Sequence, residues 1–296
     1  MRVVIAGASG FLGTHLSAHL RTHAHEVTAL VRREPTSAQE SRWDPKTGQV
    51  DAEVVTRADA VVNLAGASIA GNPHSRKWAG EVMDSRVSTT SLLARTIAGA
   101  ERPPAFLAGN GISWYGDHGS APVTEDTATT GDAFLTRVAQ AWEAAADDAR
   151  EAGARVCVLR TAPVMDKASA PLKPLRLLFR LGGGARLGSG EQYMPMISLR
   201  DWIGAVSYLL ESRDVSGAFN LCCPQAPTNT EFTHALASAV RRRAFLSVPS
   251  ALLEPAAGDL APELLGSINA RPAALERAGY DFEDEDVREV LAAGLA

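Results

Sequence analysis

The chain has 296 residues, of which 46% are hydrophobic and 21% charged, and this composition is typical of a globular protein rather than a disordered, collagenous or membrane-embedded one. Its formal net charge is −5, so it lacks the overall positive field that drives sequence-independent binding to nucleic acid. Its three cysteines, Cys157, Cys222 and Cys223, are too few for a disulfide framework or a zinc site and indicate a reducing, cytoplasmic compartment.

No segment of the sequence predicts export or membrane insertion. The N-terminal run MRVVIAGASG contains an apolar stretch that is too short for a signal peptide. No window approaches the ~20 uninterrupted apolar residues that a spanning helix needs. We therefore expect neither a membrane partner nor a nucleic-acid partner, and predict a small-molecule substrate instead.

The predicted elements alternate between strands and helices along the chain. Residues 3–6 form a β-branched run typical of a strand buried on both faces, apolar residues at helical spacing follow from 11 to 20, and residues 27–31 predict a second strand. Further predicted strands lie at 60–64, 105–108, 156–159 and 218–221, and predicted helices at 84–98 and 134–151. This alternation predicts an α/β fold with a doubly wound parallel sheet of the Rossmann type.

A glycine pattern joins the first predicted strand to the first predicted helix. Gly7, Gly10 and Gly13 follow the spacing Gly-x-x-Gly-x-x-Gly, which in this context predicts a dinucleotide-binding turn. Gly7 permits the tight turn, Gly10 lets the backbone approach a pyrophosphate, and Gly13 allows the helix to pack closely on the sheet. The amides at the start of the helix then face the anion.

Two arginines follow the second predicted strand. The residue type at this position distinguishes NAD(H)-binding from NADP(H)-binding chains. An acidic residue there would accept hydrogen bonds from free ribose hydroxyls, whereas the guanidinium groups of Arg32 and Arg33 suit a 2′-phosphate. The pair favours NADP(H) over NAD(H) as the cofactor. The alternative is a solvated basic pair at the end of a strand.

The character of the sequence changes after about residue 165, where turns and glycine clusters become frequent. We predict a Rossmann domain over residues 1–165, with a returning strand near 217–222 that rejoins its sheet. Residues 166–296 are then mostly a smaller cap that forms a substrate cleft over the carboxyl ends of the strands.

Several motifs together resemble the atypical and extended branches of the short-chain dehydrogenase/reductase superfamily. They are the glycine pattern, the run NLAGA at 63–67, Tyr115-Gly116 and the segment FRLGGGARLGSGEQY at 179–193. The last segment is similar to the family of nucleoside-diphosphate-sugar epimerase-like proteins, also called SulA-like epimerases. Further matching residues are Trp142-Glu143, Leu159-Arg160-Thr161, Phe219-Asn220 and the run NTEF at 229–232. The resemblance implies an NADP(H)-binding Rossmann domain with a small C-terminal substrate region.

The resemblance also implies which positions bind the phosphates of the cofactor. It assigns the 2′-phosphate to Arg32 and Arg33. It assigns the pyrophosphate loop to four consecutive positions, Ser9, Gly10, Phe11 and Leu12.

Further along the chain, the resemblance places Leu64 and Ala65 beside the adenosine and its ribose, and Gly66 on the way to the phosphates. An acid and an arginine near the start of the following helix, Glu81 and Arg86, are implied to lie near the cofactor. Pro163 is implied to border the nicotinamide.

The catalytic pair of the superfamily is absent from this chain. Members usually transfer a hydride with a Tyr-x-x-x-Lys pair and a Ser or Thr, in which the tyrosine exchanges a proton with the substrate oxygen. Counted back from Trp142-Glu143, Leu135 stands at the tyrosine position and Ala139 at the lysine position. Neither side chain titrates, so the usual reductase or epimerase mechanism has no basis here.

The loop after the fourth predicted strand also departs from the family pattern. Relatives commonly have SATGYYG where this chain has NGISWYG at 110–116, and a histidine where it has Ser198. The candidates that remain for catalysis are Ser113, Tyr115 and Asn110, in a loop where an open sheet places its ligand crevice. Tyr115 would donate a proton and Asn110 a hydrogen bond to a carbonyl oxygen. The alternative is that Tyr115 packs against the cofactor loop and Ser113 caps a turn.

Two other patterns have structural as well as functional explanations. His15, His19 and His23 recur every four residues on the first predicted helix, where a solvated helix face is favoured over a zinc site, and we expect no bound metal. The run Arg241-Arg242-Arg243 suits an anionic substrate or a partner, or else the carboxyl end of a helix.

These observations favour an NADP(H)-dependent oxidoreductase or epimerase-like enzyme that acts on a small organic substrate. One alternative is a catalytically inert NADPH-binding sensor or scaffold, favoured by Leu135 and Ala139. Another is an epimerase or dehydratase that uses NADP without net redox change. A homodimer through the alanine-rich helix from 134 to 150 is a further expectation, drawn from the resemblance.

Overall fold

The structure is a computed structural model that describes all 296 residues. Its strands are β1 (Arg2–Ala6), β2 (Glu26–Val31), β3 (Glu40–Asp44), β4 (Gln49–Val50), β5 (Ala60–Asn63), β6 (Ala105–Gly111), β7 (Pro122–Val123), β8 (Val156–Thr161), β9 (Val164–Met165), β10 (Ala185–Leu187), β11 (Ile197–Ser198), β12 (Gly217–Leu221), β13 (Leu246–Val248) and β14 (Asn269–Ala270).

The helices are α1 (Phe11–Thr22), α2 (Ala52–Thr56), α3 (Arg76–Ala98), α4 (Phe134–Ala144), α5 (Asp147–Glu151), α6 (Leu172–Arg180), α7 (Leu199–Glu211), α8 (Asn229–Ala239), α9 (Ser250–Ala257), α10 (Ala261–Leu265), α11 (Ala273–Ala278) and α12 (Val287–Leu295). Single 3-10 turns lie at Ile112–Tyr115 and Gly258–Leu260. None of the helices is long and apolar enough to cross a membrane.

Eight strands form one central sheet in the order β12-β8-β6-β5-β1-β2-β3-β4. Every neighbouring pair is parallel except β3 with β4. The chain builds outward from β1 in one direction through β2 and β3, and in the other through β5, β6, β8 and β12. The switch in direction therefore falls between β1 and β5, where the carboxyl ends of the strands border a crevice. This topology confirms the predicted doubly wound Rossmann fold.

The central strands are apolar throughout because both faces of the sheet are covered. Val3 and Ile5 on β1 pack with Leu16 of α1 and with α7 on one face, whereas Val4 and Ala6 pack with α2 and α3 on the other. Side chains on a strand alternate between faces, so a continuous β-branched run supplies both cores. The strand is buried on both faces up to its last residue, Ala6, and the glycine turn begins directly after it.

Part of the region beyond residue 165 belongs to the layers of the main sheet. Trp202 and Leu209 of α7 are fully buried in the same core as Ile5. The strand predicted near 217–222 is β12, which pairs with β8. The proposed cap therefore consists of the segments on either side of α7 and β12, which build a second apolar core among α6, α8 and α12.

Asp201 ties the C-terminal segment to the start of α7. Its buried carboxylate accepts hydrogen bonds from the amides of Glu283 and Asp284 and from the hydroxyl of Tyr280, at 2.9, 2.9 and 3.1 Å. Burial raises the pKa of this carboxyl above its usual range, against the effect of those hydrogen bonds. The sheet and the C-terminal region thus share a buried polar anchor.

Two of the differences from the predicted elements bear on the candidate site and on the expected dimer. The long helix predicted at 134–151 is interrupted at 145–146 into α4 and α5, and Ala146 and Ala149 are buried in this chain's own core. Those alanines are not available to a second copy, and the homodimer stays a prediction. Strand β3 does not follow from the sequence pattern, because Glu40 and Arg42 give this strand, which lies between β2 and the two-residue edge strand β4, a polar sequence.

A buried polar network lies where β6, β8, β12 and α4 meet. Arg160 is 3% exposed and pairs with both carboxylate oxygens of Glu143, with N–O distances of 3.1 to 3.2 Å. Its guanidinium carbon lies 3.6 Å from the centre of the Trp114 ring. The Glu143 and Arg160 matches to the superfamily thus form one ion pair between a helix and a strand.

Tyr115 belongs to this network and is completely buried. Its hydroxyl donates to Oδ1 of Asn220 at 2.7 Å and accepts from Arg160 at 3.0 Å. Burial raises the pKa of Tyr115 to about 12, although Arg160 and Asn220 oppose the rise. Since both hydrogen-bonding positions are taken by protein, the expectation that Tyr115 protonates a substrate is corrected here to a role in packing.

We predict that Tyr115→Phe destabilises the protein by about 1–3 kcal/mol, because the buried Oδ1 of Asn220 loses its donor. Thermal unfolding measures the change. Tyr193→Phe is the matched control, since the hydroxyl of Tyr193 has no hydrogen-bond partner and its removal changes stability by less than about 0.5 kcal/mol. Equal melting temperatures for the two variants would contradict the buried network.

Candidate functional site

The glycine turn brings β1, α1 and the loop after β5 into direct contact. Gly7 has φ +82°, and a Cβ placed there would lie 2.7 Å from the carbonyl carbon of Leu64. A Cβ on Gly13 would lie 2.2 Å from the carbonyl oxygen of Gly7. Both positions exclude any side chain, so backbone alone forms the floor of the crevice at the end of β1.

The N-terminus of α1 opens onto this floor. Gly10 is the N-cap and supplies no capping side chain, and the first turn of α1 contains no acidic residue. Ser9 and Gly10 are exposed, and Phe11 and Leu12 are half-buried at the same rim. Uncapped first-turn amides and the positive end of the helix dipole favour an anion here.

Asn63 shapes the opposite side of the floor. It is fully buried at the end of β5, donates to Oγ1 of Thr90 at 2.8 Å and accepts from the amide of Ala65 at 3.0 Å. These bonds hold the run 64–66 against Gly7, with Leu64 and Ala65 half-buried and Gly66 exposed. No local sequence pattern indicates this role, because it depends on Thr90 of α3.

Arg86 is a buried cation without a carboxylate partner. It is 8% exposed, and its guanidinium carbon lies 5.1 Å from the centre of the Trp142 ring. Its only hydrogen bond is from Nη1 to the carbonyl of Val82, at 3.0 Å. Burial lowers the pKa of Arg86 to about 10, which leaves it charged at neutral pH. A Cβ on Gly66 would lie 3.3 Å from this guanidinium, so Arg86 borders the crevice loop.

Glu81 does not join Arg86 at the crevice. Its side chain is 61% exposed and lies 4.0 Å from the ammonium group of Lys77 on the same helix. The two residues that the resemblance placed together are therefore separated, and only Arg86 contacts the loop after β5.

The two arginines after β2 are not equivalent. Arg33 makes a bidentate pair with Glu40 of β3, with N–O distances of 2.9 and 2.5 Å. The hydrogen bonds from Arg33 and from the amide of Thr36 lower the pKa of Glu40 to about 2. Arg32 is exposed and has neither an ion pair nor a side-chain hydrogen bond. The guanidinium of Arg32 is thus available to an added anion, whereas that of Arg33 is neutralised.

A serine and a glutamate meet at the other end of the crevice. Ser113 follows β6, and its hydroxyl donates to Oε2 of Glu263 in α10 at 2.6 Å. Both side chains are half-buried. Burial raises the pKa of Glu263 above its usual range, and the hydrogen bond from Ser113 opposes part of the rise. Glu263 is 150 residues away from Ser113, and no sequence pattern pointed to it.

The Ser113 and Glu263 pair lies near the position expected for the nicotinamide. Strands β6 and β8 are neighbours, with Gly111 opposite Thr161. Ser113 and the exposed Pro163 follow the carboxyl ends of these two strands and so lie at the same edge of the sheet. The hydroxyl of Ser113 pairs with a carboxyl group rather than capping a turn.

The remaining predicted catalytic residue is held within the protein. Asn110 is 4% exposed, donates to the carbonyl of Ala139 at 3.0 Å and accepts from the amide of Gly111 at 2.7 Å. These bonds correct its expected role as a donor to substrate. Leu135, at the usual tyrosine position, packs beside an apolar cluster that includes Trp78. No titratable group replaces the missing pair on α4.

Comparisons with known proteins agree with this architecture. Residues 3–222 match the family model described as the NAD dependent epimerase/dehydratase family, and residues 248–293 match a domain of unknown function, DUF1731. An epimerase family protein of Mycobacterium bovis is 40% identical over 295 residues, covering 98% of this chain and 96% of its own length.

Two solved structures are also similar. The crystal structure of human epimerase family protein SDR39U1 with NADPH has a TM-score of 0.87 and 32% identity, covering 99% of each chain. The nucleoside-diphosphate sugar epimerase of Corynebacterium glutamicum has a TM-score of 0.81 and 29% identity, covering 99% of this chain and 58% of its own. With these similarities and the doubly wound fold, the chain belongs to the NAD dependent epimerase/dehydratase family, in its atypical short-chain dehydrogenase/reductase branch.

Proposed function

We propose that this protein binds NADP(H) in the crevice and catalyses hydride transfer on a small organic substrate. The observation that carries the proposal is Arg86, a desolvated cation without a carboxylate partner beside the glycine floor. Leaving a buried charge unpaired is costly, and an anionic ligand that binds there compensates the charge. A dinucleotide with its pyrophosphate at α1 supplies such an anion.

The side-chain geometry supports assigning each end of the crevice to one end of the cofactor. Gly7, Gly10 and Gly13 give the pyrophosphate access to backbone amides, and Leu64 to Gly66 form the wall beside the adenosine. Arg32 would bind the 2′-phosphate. The human relative solved with NADPH, 32% identical over 99% of both chains, supports the same choice of cofactor.

The Ser113 and Glu263 pair supplies the proton-transfer chemistry that Leu135 and Ala139 cannot. When bound, the nicotinamide gives a hydride to a substrate carbonyl carbon or takes one from a carbinol. The raised pKa of Glu263 keeps its carboxyl protonated to higher pH than an ordinary glutamate, so it can give a proton to the substrate oxygen and regain one from water. Ser113 holds Glu263 through its hydroxyl at 2.6 Å, and this hydrogen bond stabilises the carboxylate that forms once the proton has been given.

We predict that Arg32→Gln weakens NADPH binding by about 10- to 100-fold and leaves NADH binding unchanged, because it removes a charge-assisted contact to the 2′-phosphate alone. Arg33→Gln is the matched control and has a much smaller effect, since Glu40 already neutralises Arg33. Fluorescence titration of each variant with both nucleotides measures the dissociation constants. Equal losses of NADPH and NADH affinity in Arg32→Gln would contradict the assignment.

We predict that Glu263→Gln lowers turnover by about 100-fold or more while NADPH affinity stays within twofold of the wild type. The assay follows NADPH oxidation with a panel of aldehydes and ketones. Turnover of the wild type as a reductase falls as pH rises through the raised pKa of Glu263, because the carboxyl then loses the proton that it donates. Glu254→Gln is the control, since Glu254 is an exposed acid in neighbouring α9. Unchanged turnover in Glu263→Gln would exclude this acid.

A binding protein without turnover is the second candidate function. The apolar replacements Leu135 and Ala139 favour it, because a dinucleotide site alone establishes binding rather than catalysis. An enzyme that epimerises or dehydrates without net redox change is the third. Product formation without net NADPH consumption distinguishes the third from a reductase, and tight NADPH binding without any product across the panel supports the second.

A further inference from the structure

The C-terminal region presents apolar side chains to solvent on one surface. Among the large hydrophobic side chains that are exposed in this chain, five lie on α6 and β13 or beside them, with 46 to 83% of their area accessible: Leu177, Leu178, Leu181, Phe245 and Leu246. Leaving so many large apolar groups in water is unusual unless the surface has a partner.

The same surface is strongly basic. The segments 172–187 and 236–253 contain seven cationic residues and no acidic one: Lys173, Arg176, Arg180, Arg186, Arg241, Arg242 and Arg243. None of the seven forms a salt bridge, although ion pairs are frequent elsewhere in the chain. These seven cations and the five apolar residues above are termed the basic-apolar surface.

Contacts between the two segments make this a single surface. Strand β10 pairs with β13, with Ala185 opposite Leu246. Nε of Arg242 donates to the carbonyl of Arg180 at 3.0 Å, which places the arginine run beside the end of α6. The cations and the leucines are therefore interleaved rather than separated.

Helix α6 shows the interleaving most clearly. Lys173, Leu177, Arg180 and Leu181 are all exposed and are spaced i, i+4, i+7 and i+8. Residues at this spacing lie along one face of a helix. Leu172 and Phe179 anchor the other face in the C-terminal core. The helix thus stays folded while a cationic and apolar stripe faces outward.

Charge determines what can cover this surface. The seven cations oppose a total net charge of −5, so the rest of the chain carries −12. A second copy docking through the same surface would bring seven cations against seven, which argues against a symmetric dimer here. A hydrophobic partner alone would leave the cations desolvated. A surface that combines phosphate charge with an apolar interior satisfies both groups.

We propose that the basic-apolar surface binds the face of an anionic lipid bilayer. Leu181 and Phe245 enter the boundary between headgroups and acyl chains, while the arginines contact lipid phosphates and carboxylates. The interaction is peripheral, since no helix of the chain can span a membrane. It revises the expectation of no membrane partner, which rested on the absence of a spanning or signal segment. The inference is independent of the proposed enzymatic function.

The test is co-sedimentation of the full chain with sucrose-loaded vesicles of phosphatidylcholine, with and without phosphatidylserine. We expect binding to the vesicles that contain phosphatidylserine, little binding to phosphatidylcholine alone, and weakening as salt is raised. Neutralising Arg241, Arg242 and Arg243 together to Gln lowers the partition coefficient by ~100-fold, if each cation contributes about fivefold.

The matched control neutralises three exposed arginines without ion pairs that lie outside the basic-apolar surface, Arg21, Arg102 and Arg213. We expect this triple variant to bind vesicles like the wild type. Phe245→Trp reports insertion: the wild type already has five tryptophans, so the difference between the emission of the variant and of the wild type shifts to shorter wavelength with anionic vesicles if the side chain enters the bilayer. Melting temperature and NADPH affinity, measured for every variant, show whether each one is folded.

Three results would overturn the proposal. The first is no binding to phosphatidylserine vesicles at low salt, and the second is equal loss of binding in both triple variants. The third is a concentration-dependent dimer without vesicle binding that Phe245→Ser abolishes, which would assign the surface to a second copy. Failure of NADPH binding in the wild type would count against the proposed function and leave this test unaffected.

Discussion

The close approach of Gly7 to the loop after β5 sets the form of the whole crevice. Because a Cβ at Gly7 or Gly13 would overlap backbone at under 3 Å, strand, helix and loop meet without intervening side chains. The first amides of α1 are left uncapped by the same arrangement. The other groups of the candidate site lie around this floor: Arg86 beside the loop after β5, Arg32 at the end of β2, and Ser113 after β6, two strands away.

The arginines around the floor differ in whether the protein supplies a carboxylate partner for each of them. Arg160 and Arg33 have carboxylate partners in Glu143 and Glu40 and serve the fold. Arg86 and Arg32 have none and face the crevice or solvent. A fold normally compensates a buried cation, so an uncompensated one beside a backbone cradle marks a ligand-binding group. This contrast supports cofactor binding in the crevice independently of the family resemblance.

Local patterns in the sequence predicted the fold well, because buried parallel strands and a glycine turn have short-range signatures. The run 3–6, the turn at Gly7 and the returning strand near Phe219 all depend on residues close in sequence. The pairing of Arg33 with Glu40 was not predictable, since β3 is a polar strand next to the edge of the sheet. The pairing of Ser113 with Glu263 joins positions 150 residues apart. The burial of Tyr115 was not predictable, because it depends on Arg160 and Asn220, which are 45 and 105 residues away in the sequence.

The NADPH affinity of Arg86→Met, measured together with the melting temperature of the ligand-free protein, tests whether this buried arginine binds the cofactor. If Arg86 is held uncompensated for an anionic cofactor, the dissociation constant rises by about 10- to 100-fold. The ligand-free melting temperature stays the same or rises, because the variant removes a desolvated charge whose folded-state pKa is lowered and whose cost is present throughout the range below pH 10. Unchanged affinity, or a marked fall in the ligand-free melting temperature, would exclude Arg86 as a cofactor-binding group.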